Sequence, residues 1–193
     1  ADAAADGRLP AAQLARSAER LAALAARFPS QPGADPQRAA DNSLMDQAWA
    51  CGLTALGGAR PPLRHQPLRV LTQASVLSDG VSEAGLASEM VRGLFTGFSD
   101  VRFDTVPSLV DGPWPAAEGR FTVLVGNQRP RYGAQRPAAD LHLVLWNPYQ
   151  ALDIAAPALL SWGYAPGALA AVQAWLEGRA AAPGRLPITL ECR

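Results

Sequence analysis

The chain has 193 residues with 17 arginines, no lysine and 17 acidic residues, so its formal net charge is zero, and 49% of its residues are apolar. A chain of this size and apolar content can bury the core of one domain with an appendage. Its neutral balance gives no general attraction to nucleic acid, and its composition excludes wholesale disorder. Polar residues interrupt every apolar run well before the roughly 18 residues that a membrane-spanning helix needs.

The amino terminus and the cysteines do not identify a compartment. The chain starts Ala-Asp-Ala without a basic or apolar leader region, so we predict no signal peptide and expect Ala1 to be a cut or processed end. Cys51 lies in a mostly apolar helical stretch and Cys192 is next to last. Their spacing fits no metal motif, which favours two free thiols over a single disulfide.

Residues 9–28 predict an amphipathic helix that Pro10 begins and Pro29 ends. Its apolar positions fall on one stripe, which needs a partner surface. The stripe consists of Leu14, Leu21, Leu24 and Phe28. Residues 29–40 predict a linker rich in proline and small polar residues. A second helix is expected to begin near Asp41 or Asn42, and residues 53–56 are expected to form a short extended run.

From Leu68 onwards, short apolar strands alternate with helices or loops. Helices are expected over residues 82–95, capped by Ser82, and over residues 164–177. The expected strands are Leu68–Gln73, 101–104, 121–125, 141–145 and 158–162. This alternation predicts an α/β fold, a three-layer sandwich whose mainly parallel, flavodoxin-like sheet has about five or six strands and helices on both faces.

Ligands of open α/β sheets bind at the carboxyl ends of the strands, so the loops there hold the candidate site residues. After the first strand of the sheet, Ser75, Ser78 and Ser82 could hold an anion at a helix start, although Asp79 opposes one. An ordinary capped loop is the alternative.

Two further loops hold candidate residues at the same edge. The first is residues 126–132, which include Asn127, Arg129 and Tyr132. With Arg131 and Arg136, this loop could bind a carboxylate or phosphate. The alternatives are a solvated basic loop and a loop that faces another domain. The run Trp146-Asn147-Pro148-Tyr149 follows a buried strand. Its aromatic rings suit either stacking on a sugar or packing under the Asn-Pro turn.

The sequence shows no catalytic pattern. His65 is expected in a solvated loop and His142 as a satisfied histidine within a strand. The carboxylates near strand ends select no glycosidase pair by their spacing and suit caps or surface positions; they are Asp79, Asp104, Asp111 and Asp153. Nucleophile-elbow, dinucleotide-binding and Walker motifs are all missing. We therefore assign no catalytic residue, no metal site and no cofactor.

The order of several segments resembles glycoside hydrolase family 3. Asn147-Pro148-Tyr149, the strand and turn over 158–164, an alanine-rich helix ending at Gly178 and the run 183–190 (PGRLPITL) are similar to the carboxyl end of that family. Upstream, residues 44–56, the Pro-Pro-Leu run at 61–63 and residues 68–71 look like the opening of its C-terminal domain. Residues 4–28 look like the last helix of its catalytic barrel, so the resemblance covers nearly the whole chain.

The resemblance implies a non-catalytic C-terminal domain, most similar to the β-N-acetylglucosaminidase branch. It implies an appended barrel helix over residues 1–28, a linker and lead-in helix over 29–63 and the α/β domain over 64–193. In that branch the nucleophilic Asp and the acid/base His–Asp pair belong to the barrel, whose strands are not in this sequence, so no catalytic position is carried over. The implied partner is a catalytic (β/α)8 barrel of the same polypeptide, with a carbohydrate as a candidate ligand.

One segment departs from the family pattern. Only residues 126–140 separate two predicted strands, and Pro130 and Pro137 lie within them, so we expect a short or irregular crossover where the family usually has a helix. The alternative function is a stand-alone module of the same fold that binds a small sugar or anion at the carboxyl ends of its strands. A third is an independent hydrolase that uses Asp79 or Asp104.

Overall fold

The computed structural model describes residues 2–29, 37–76 and 85–187. The α-helices are α1 (Asp2–Ala5), α2 (Ala11–Arg27), α3 (Arg38–Gly52), α4 (Ser88–Gly93) and α5 (Pro166–Leu176), with a 3₁₀ helix over Pro148–Leu152. The strands are β1 (Thr54–Leu56), β2 (Leu68–Gln73), β3 (Val101–Val106), β4 (Phe121–Gly126), β5 (Leu141–Val144) and β6 (Ala158–Leu160).

The chain divides into two compact units, with the boundary between residues 39 and 40. In the first unit, α2 follows the predicted helix closely and buries none of its residues. Its apolar stripe is exposed along its length, from Leu14 at 44% to Leu21 at 66%. No helix in the described part of the chain is long and apolar enough to cross a lipid bilayer.

The second unit contains one six-stranded sheet in the order β1-β6-β5-β4-β2-β3. Strands β2 to β6 all run parallel to one another, and β1 pairs with β6 in antiparallel orientation. The predicted α/β fold with a mostly parallel sheet is therefore confirmed. Since the strands are parallel, the ends of β2, β4 and β5 meet at one edge, where the candidate residues were expected.

One face of the sheet, the helix face, packs against α4 and α5. Its buried side chains alternate along the strands; they are Leu68, Val70, Val123, Val125, Leu141, Leu143 and Leu159. Val91 of α4 and Val172 and Trp175 of α5 belong to the same core. Apolar side chains fill both sides of the contact because the helices satisfy their own backbone hydrogen bonds.

The opposite face, the loop face, carries the intervening positions of the same strands. Leu71 and Leu124 pack there against Leu109, Tyr132 and Ile154, which lie in connections between strands. In the described residues the third layer of the sandwich therefore consists of irregular connections and the 3₁₀ helix, whereas the α-helices of the core lie on the helix face. Residues 127–140 form the irregular crossover that the sequence predicts.

Two helix starts differ from the sequence prediction. α3 begins at Arg38, within the predicted linker, rather than near Asp41 or Asn42. α4 begins at Ser88, because residues 85–87 are held at the end of the sheet: Gly85 forms a bridge with Gln128, and Leu86 donates its N–H to the Asn127 carbonyl at 3.1 Å. The predicted cap Ser82 lies outside the described residues.

Candidate functional site

Asn127, directly after β4, ties together three segments at the carboxyl edge of the sheet. Its side-chain oxygen accepts the N–H of Gln73 at 3.1 Å, and its nitrogen donates to the carbonyls of Gln73 at 2.9 Å and Leu86 at 2.7 Å. The residue is almost fully buried. These bonds occupy both donors of the amide and one acceptor position, so the side chain fixes the loops around the edge.

The serine candidates lie on the loop that follows β2. Ser75 is exposed, and its carbonyl accepts a bond of 2.9 Å from the side chain of Gln73. Gln73 also accepts the N–H of Leu109 at 3.1 Å, which links this loop to the connection after β3. Ser78, Ser82 and Asp79 lie outside the described residues.

The structure brings Arg129 and Asn147 together across the ends of β4 and β5. Asn147 donates to the Arg129 carbonyl at 3.0 Å and accepts the N–H of Tyr149 at 3.1 Å, which caps the 3₁₀ helix. Trp146 packs edge-on against Tyr164, with ring centroids 5.2 Å apart. Tyr149 is 48% exposed and is the accessible aromatic residue of this run.

Behind this edge lies a buried polar pair formed by Tyr132 and His142. The Tyr132 hydroxyl lies 3.0 Å from His142 Nε2, and the two rings meet edge-on at 5.4 Å. Burial lowers the pKa of His142 to about 3 and raises the pKa of Tyr132 far above its usual range. Both groups are therefore neutral near pH 7. His142 is buried in the sheet, as the sequence predicts, but it is not fully satisfied, because its Nδ1 has no hydrogen-bond partner among the described residues.

Gly126, the last residue of β4, makes room for this pair. A Cβ atom at this position would collide with Gln150 Oε1 and lie 3.2 Å from the Tyr132 hydroxyl and 3.3 Å from His142 Nε2. Gln150 is fully buried and donates to the carbonyls of Gln128 at 2.9 Å and Pro130 at 2.6 Å. The glutamine thereby satisfies backbone groups of a loop that has no regular secondary structure.

Asp153 is buried at the end of the 3₁₀ helix, although the sequence suggests a cap or surface residue. Both of its oxygens accept from Arg131 Nε at 3.0–3.1 Å, and Arg131 Nη2 and the N–H of Tyr132 also bind it. Arg136 lies 4.0 Å away. The bond to Asp153 raises the pKa of Arg131. Two of the predicted anion-binding arginines thus face a carboxylate of the same chain, which sequence spacing could not reveal.

Asp104, near the end of β3, is paired in the same way on the loop face. It accepts from Arg69 Nε at 2.6 Å and from Arg102 Nε at 3.0 Å, and Arg69 also donates to the Pro115 carbonyl. Burial alone would raise the pKa of Asp104, but the bonds from the two arginines outweigh it and hold that pKa below its usual value. A carboxylate held ionised in this way is poorly suited to general acid catalysis.

Two cavities open on the loop face. One, of about 510 Å³, lies between residues 136–139 and 151–155 and includes Asp153 in its wall. The other, of about 440 Å³, is lined by Arg69, Trp114 and Gln135 among others. Across residues 2–29, 37–76 and 85–187, the His, Cys, Asp and Glu side chains form no metal-binding group, and Cys51 is an exposed free thiol. His65 is exposed, as predicted.

Comparison with solved structures identifies similar folds. A glycoside hydrolase family 3 β-N-acetylglucosaminidase from Paenibacillus sp. str. FPU-7 matches 96% of this chain over 41% of its own length, with 19% identity and a TM-score of 0.53. The shared property is the fold. A β-glucoside phosphorylase, BglX, matches 95% of this chain over 40% of its own length at 16% identity and a TM-score of 0.51.

A fungal multi-domain family 3 β-N-acetylglucosaminidase matches 98% of this chain over 25% of its length, at 13% identity and a TM-score of 0.50. The chain thus spans less than half the length of each of these proteins. No sequence-family profile matches it, and no curated protein sequence does. The likeness is therefore one of fold to a part of larger carbohydrate-active enzymes.

Proposed function

We propose that this chain is the non-catalytic C-terminal domain of a family 3 glycoside hydrolase of the β-N-acetylhexosaminidase type. The observation that carries the proposal is the structural match, which extends over 96% of this chain but only 41% of a family 3 β-N-acetylglucosaminidase. The segment order in the sequence, from the Asn-Pro-Tyr turn to the run at 183–190, points independently to the same family.

In the intact enzyme the reaction would be retaining hydrolysis of a terminal β-linked N-acetylglucosamine. An Asp of the barrel would attack the anomeric carbon, and water would then resolve the glycosyl-enzyme. The domain described here would pack on the barrel and stabilise its rim. The exposed stripe of α2 supports this role, because an apolar surface of that length needs a partner.

The charged groups of the α/β unit support a structural role. Asp104 is held by Arg69 and Arg102, and Asp153 is held by Arg131, so each carboxylate is already neutralised. His142 is buried, neutral and bonded to Tyr132. These pairings favour catalysis by another part of the polypeptide.

The proposal is tested by reading the gene upstream of codon 1 and expressing the longer polypeptide. We expect an in-frame barrel, hydrolysis of nitrophenyl N-acetyl-β-glucosaminide by the long form and none by the 193-residue chain. Deleting residues 64–193 from the long form should lower its thermal stability. Turnover by the 193-residue chain alone would contradict the proposal, and so would an upstream region that encodes no barrel.

The stand-alone binding module remains the second candidate, and the exposed ring of Tyr149 beside the Asn147 cap favours it. Isothermal titration calorimetry with N-acetylglucosamine and muropeptides tests it. Binding by the 193-residue chain that Tyr149→Ala weakens at least tenfold would support a sugar site at the strand ends. No heat of binding at millimolar sugar would reject it.

A further inference from the structure

The two edge strands of the sheet differ in whether another segment of the chain pairs with their outer side. Beyond β1, Pro183 forms an antiparallel bridge with Thr54, and Gly184 donates its N–H to the Leu53 carbonyl at 2.7 Å. β3 is the last strand at the opposite edge, and no strand or bridge of the described residues pairs with its outer side. An open strand edge is a template for pairing with another chain.

The hydrogen bonds to β2 show which backbone groups of β3 point outward. The carbonyls of Asp100 and Val106 accept from Leu68 and Ala74, at 2.9 Å and 2.8 Å, so the even-numbered residues face β2. Because peptide groups alternate in direction along a strand, the N–H and C=O groups of Val101, Phe103 and Thr105 point away from the sheet.

We propose that β3 is a self-association edge, where the β3 strands of two copies of this chain pair in antiparallel orientation about a two-fold axis at Phe103. In this register Phe103 lies opposite Phe103 of the second copy, and Val101 lies opposite Thr105. These are the residues whose backbone groups point outward, so each of them both donates and accepts a hydrogen bond across the axis. The pairing joins two six-stranded sheets into one.

The side chains are self-complementary in the same register. Arg102 of one copy lies opposite Asp104 of the other, in a non-hydrogen-bonded pair where side chains approach closely. The side chain of Arg102 is 39% exposed and binds Glu118 in its own copy. In the dimer it would therefore lie beside both Glu118 of its own copy and Asp104 of the second copy. A shift of the axis by one residue would lose both the outward-facing backbone groups and this pairing of opposite charges.

The residues of β3 are exposed enough for the strand of a second copy to pair with it. Residues 101–104 are partly exposed and Thr105 is exposed. One six-residue strand pair buries less surface than the roughly 1,200 Å² of a stable interface, so we expect a weak dimer with a dissociation constant of the order of 100 µM. Because the β1 edge of each copy is already covered by residues 183–184, pairing through β3 closes at two copies and gives a dimer rather than a fibre.

Sedimentation equilibrium of the 193-residue chain from about 10 µM to 1 mM, with a reductant to keep Cys51 free, tests the proposal. The decisive pair of variants is Thr105→Pro, which removes an outward N–H without touching the bonds to β2, and Thr105→Val, which keeps that N–H. We expect Thr105→Val to dimerise like the wild type and Thr105→Pro to weaken the dimer at least tenfold. A wild-type monomer at 1 mM would overturn the proposal, and so would a dimer that Thr105→Pro leaves unchanged.

A measurement on the unmodified chain keeps the test valid if Thr105→Pro unfolds. Hydrogen exchange of the amides of Val101, Phe103 and Thr105 should slow about fourfold between 10 µM and 1 mM, in step with the fall in the monomer fraction, while the amides of Arg102 and Asp104, already bonded within the sheet, should change little. Dimerisation without selective protection of the three outward amides would locate the interface elsewhere, for example on the stripe of α2, and would reject the β3 edge.

Discussion

The two faces of the sheet use alternate residues of the same strands but are covered by different kinds of structure. On the helix face, α4 and α5 satisfy their own backbone groups, and apolar side chains fill most of the contact. On the loop face, the covering segments have backbone carbonyls outside regular secondary structure, and buried polar side chains bind them. Gln150 donates to the carbonyls of Gln128 and Pro130, and Arg69 donates to the carbonyl of Pro115. The polar residues of the loop face thus follow from its covering layer, which in the described residues contains irregular connections and a 3₁₀ helix rather than α-helices.

The largest expected effect comes from truncating matched leucines on the two faces. Leu143 on the helix face and Leu124 on the loop face are both fully buried. Leu143→Ala should lower the free energy of unfolding by about 3 kcal/mol, and Leu124→Ala by about 2 kcal/mol, because loops relax into a void more easily than packed helices. Urea unfolding of the two variants measures the difference. A larger loss for Leu124→Ala would show that the loop face is the more rigid.

The same contrast explains what the sequence could predict. β2 has the bounds that the sequence predicts, and α2 follows from its stripe and flanking prolines, because these are local patterns. The start of α4 depends on Gly85, which bonds to residues more than forty positions away. The pairs Arg131–Asp153 and Tyr132–His142 depend likewise on the path of irregular loops, which no local pattern encodes.

The pH dependence of the free energy of unfolding tests the burial of His142 on the loop face. Its pKa is about 3 in the folded chain and near 6.5 when unfolded, so only the unfolded form takes up a proton between these values. This group's contribution to stability is complete above pH 6.5 and is lost as the pH falls. We expect the wild type to lose about 2 kcal/mol between pH 7 and pH 5, measured by urea unfolding.

The variant His142→Gln identifies the group responsible for that loss. It removes the titrating imidazole, so most of the slope between pH 7 and pH 5 should disappear, even if the variant is less stable overall. The nearby carboxylate of Asp153 is bound by Arg131. An unchanged slope in His142→Gln would assign the pH dependence to other residues.

A smaller effect is expected from the ion pairs of β2 and β3. Arg69→Met removes the donor to the Pro115 carbonyl and one of the two partners of Asp104. Since Arg102 remains beside Asp104, we expect a loss of about 1–2 kcal/mol rather than the full cost of an unpaired buried charge. Arg102→Met, at a more exposed position, should cost clearly less than Arg69→Met when both variants are measured by urea unfolding. Equal losses would mean that burial of Arg69 contributes nothing.

The smallest expected effect isolates one hydrogen bond. Tyr132→Phe keeps the ring and its edge-on contact with His142 but removes the hydroxyl at 3.0 Å from Nε2. We expect a loss of about 1 kcal/mol, because the imidazole nitrogen is left buried without its partner. Tyr149→Phe, on an exposed ring, is the matched control and should change the free energy of unfolding by less than about 0.5 kcal/mol. If both variants are neutral, the loop face owes its stability to packing and to the bonds of Gln150 and Arg69, and the Tyr132–His142 pair serves only to place the ring.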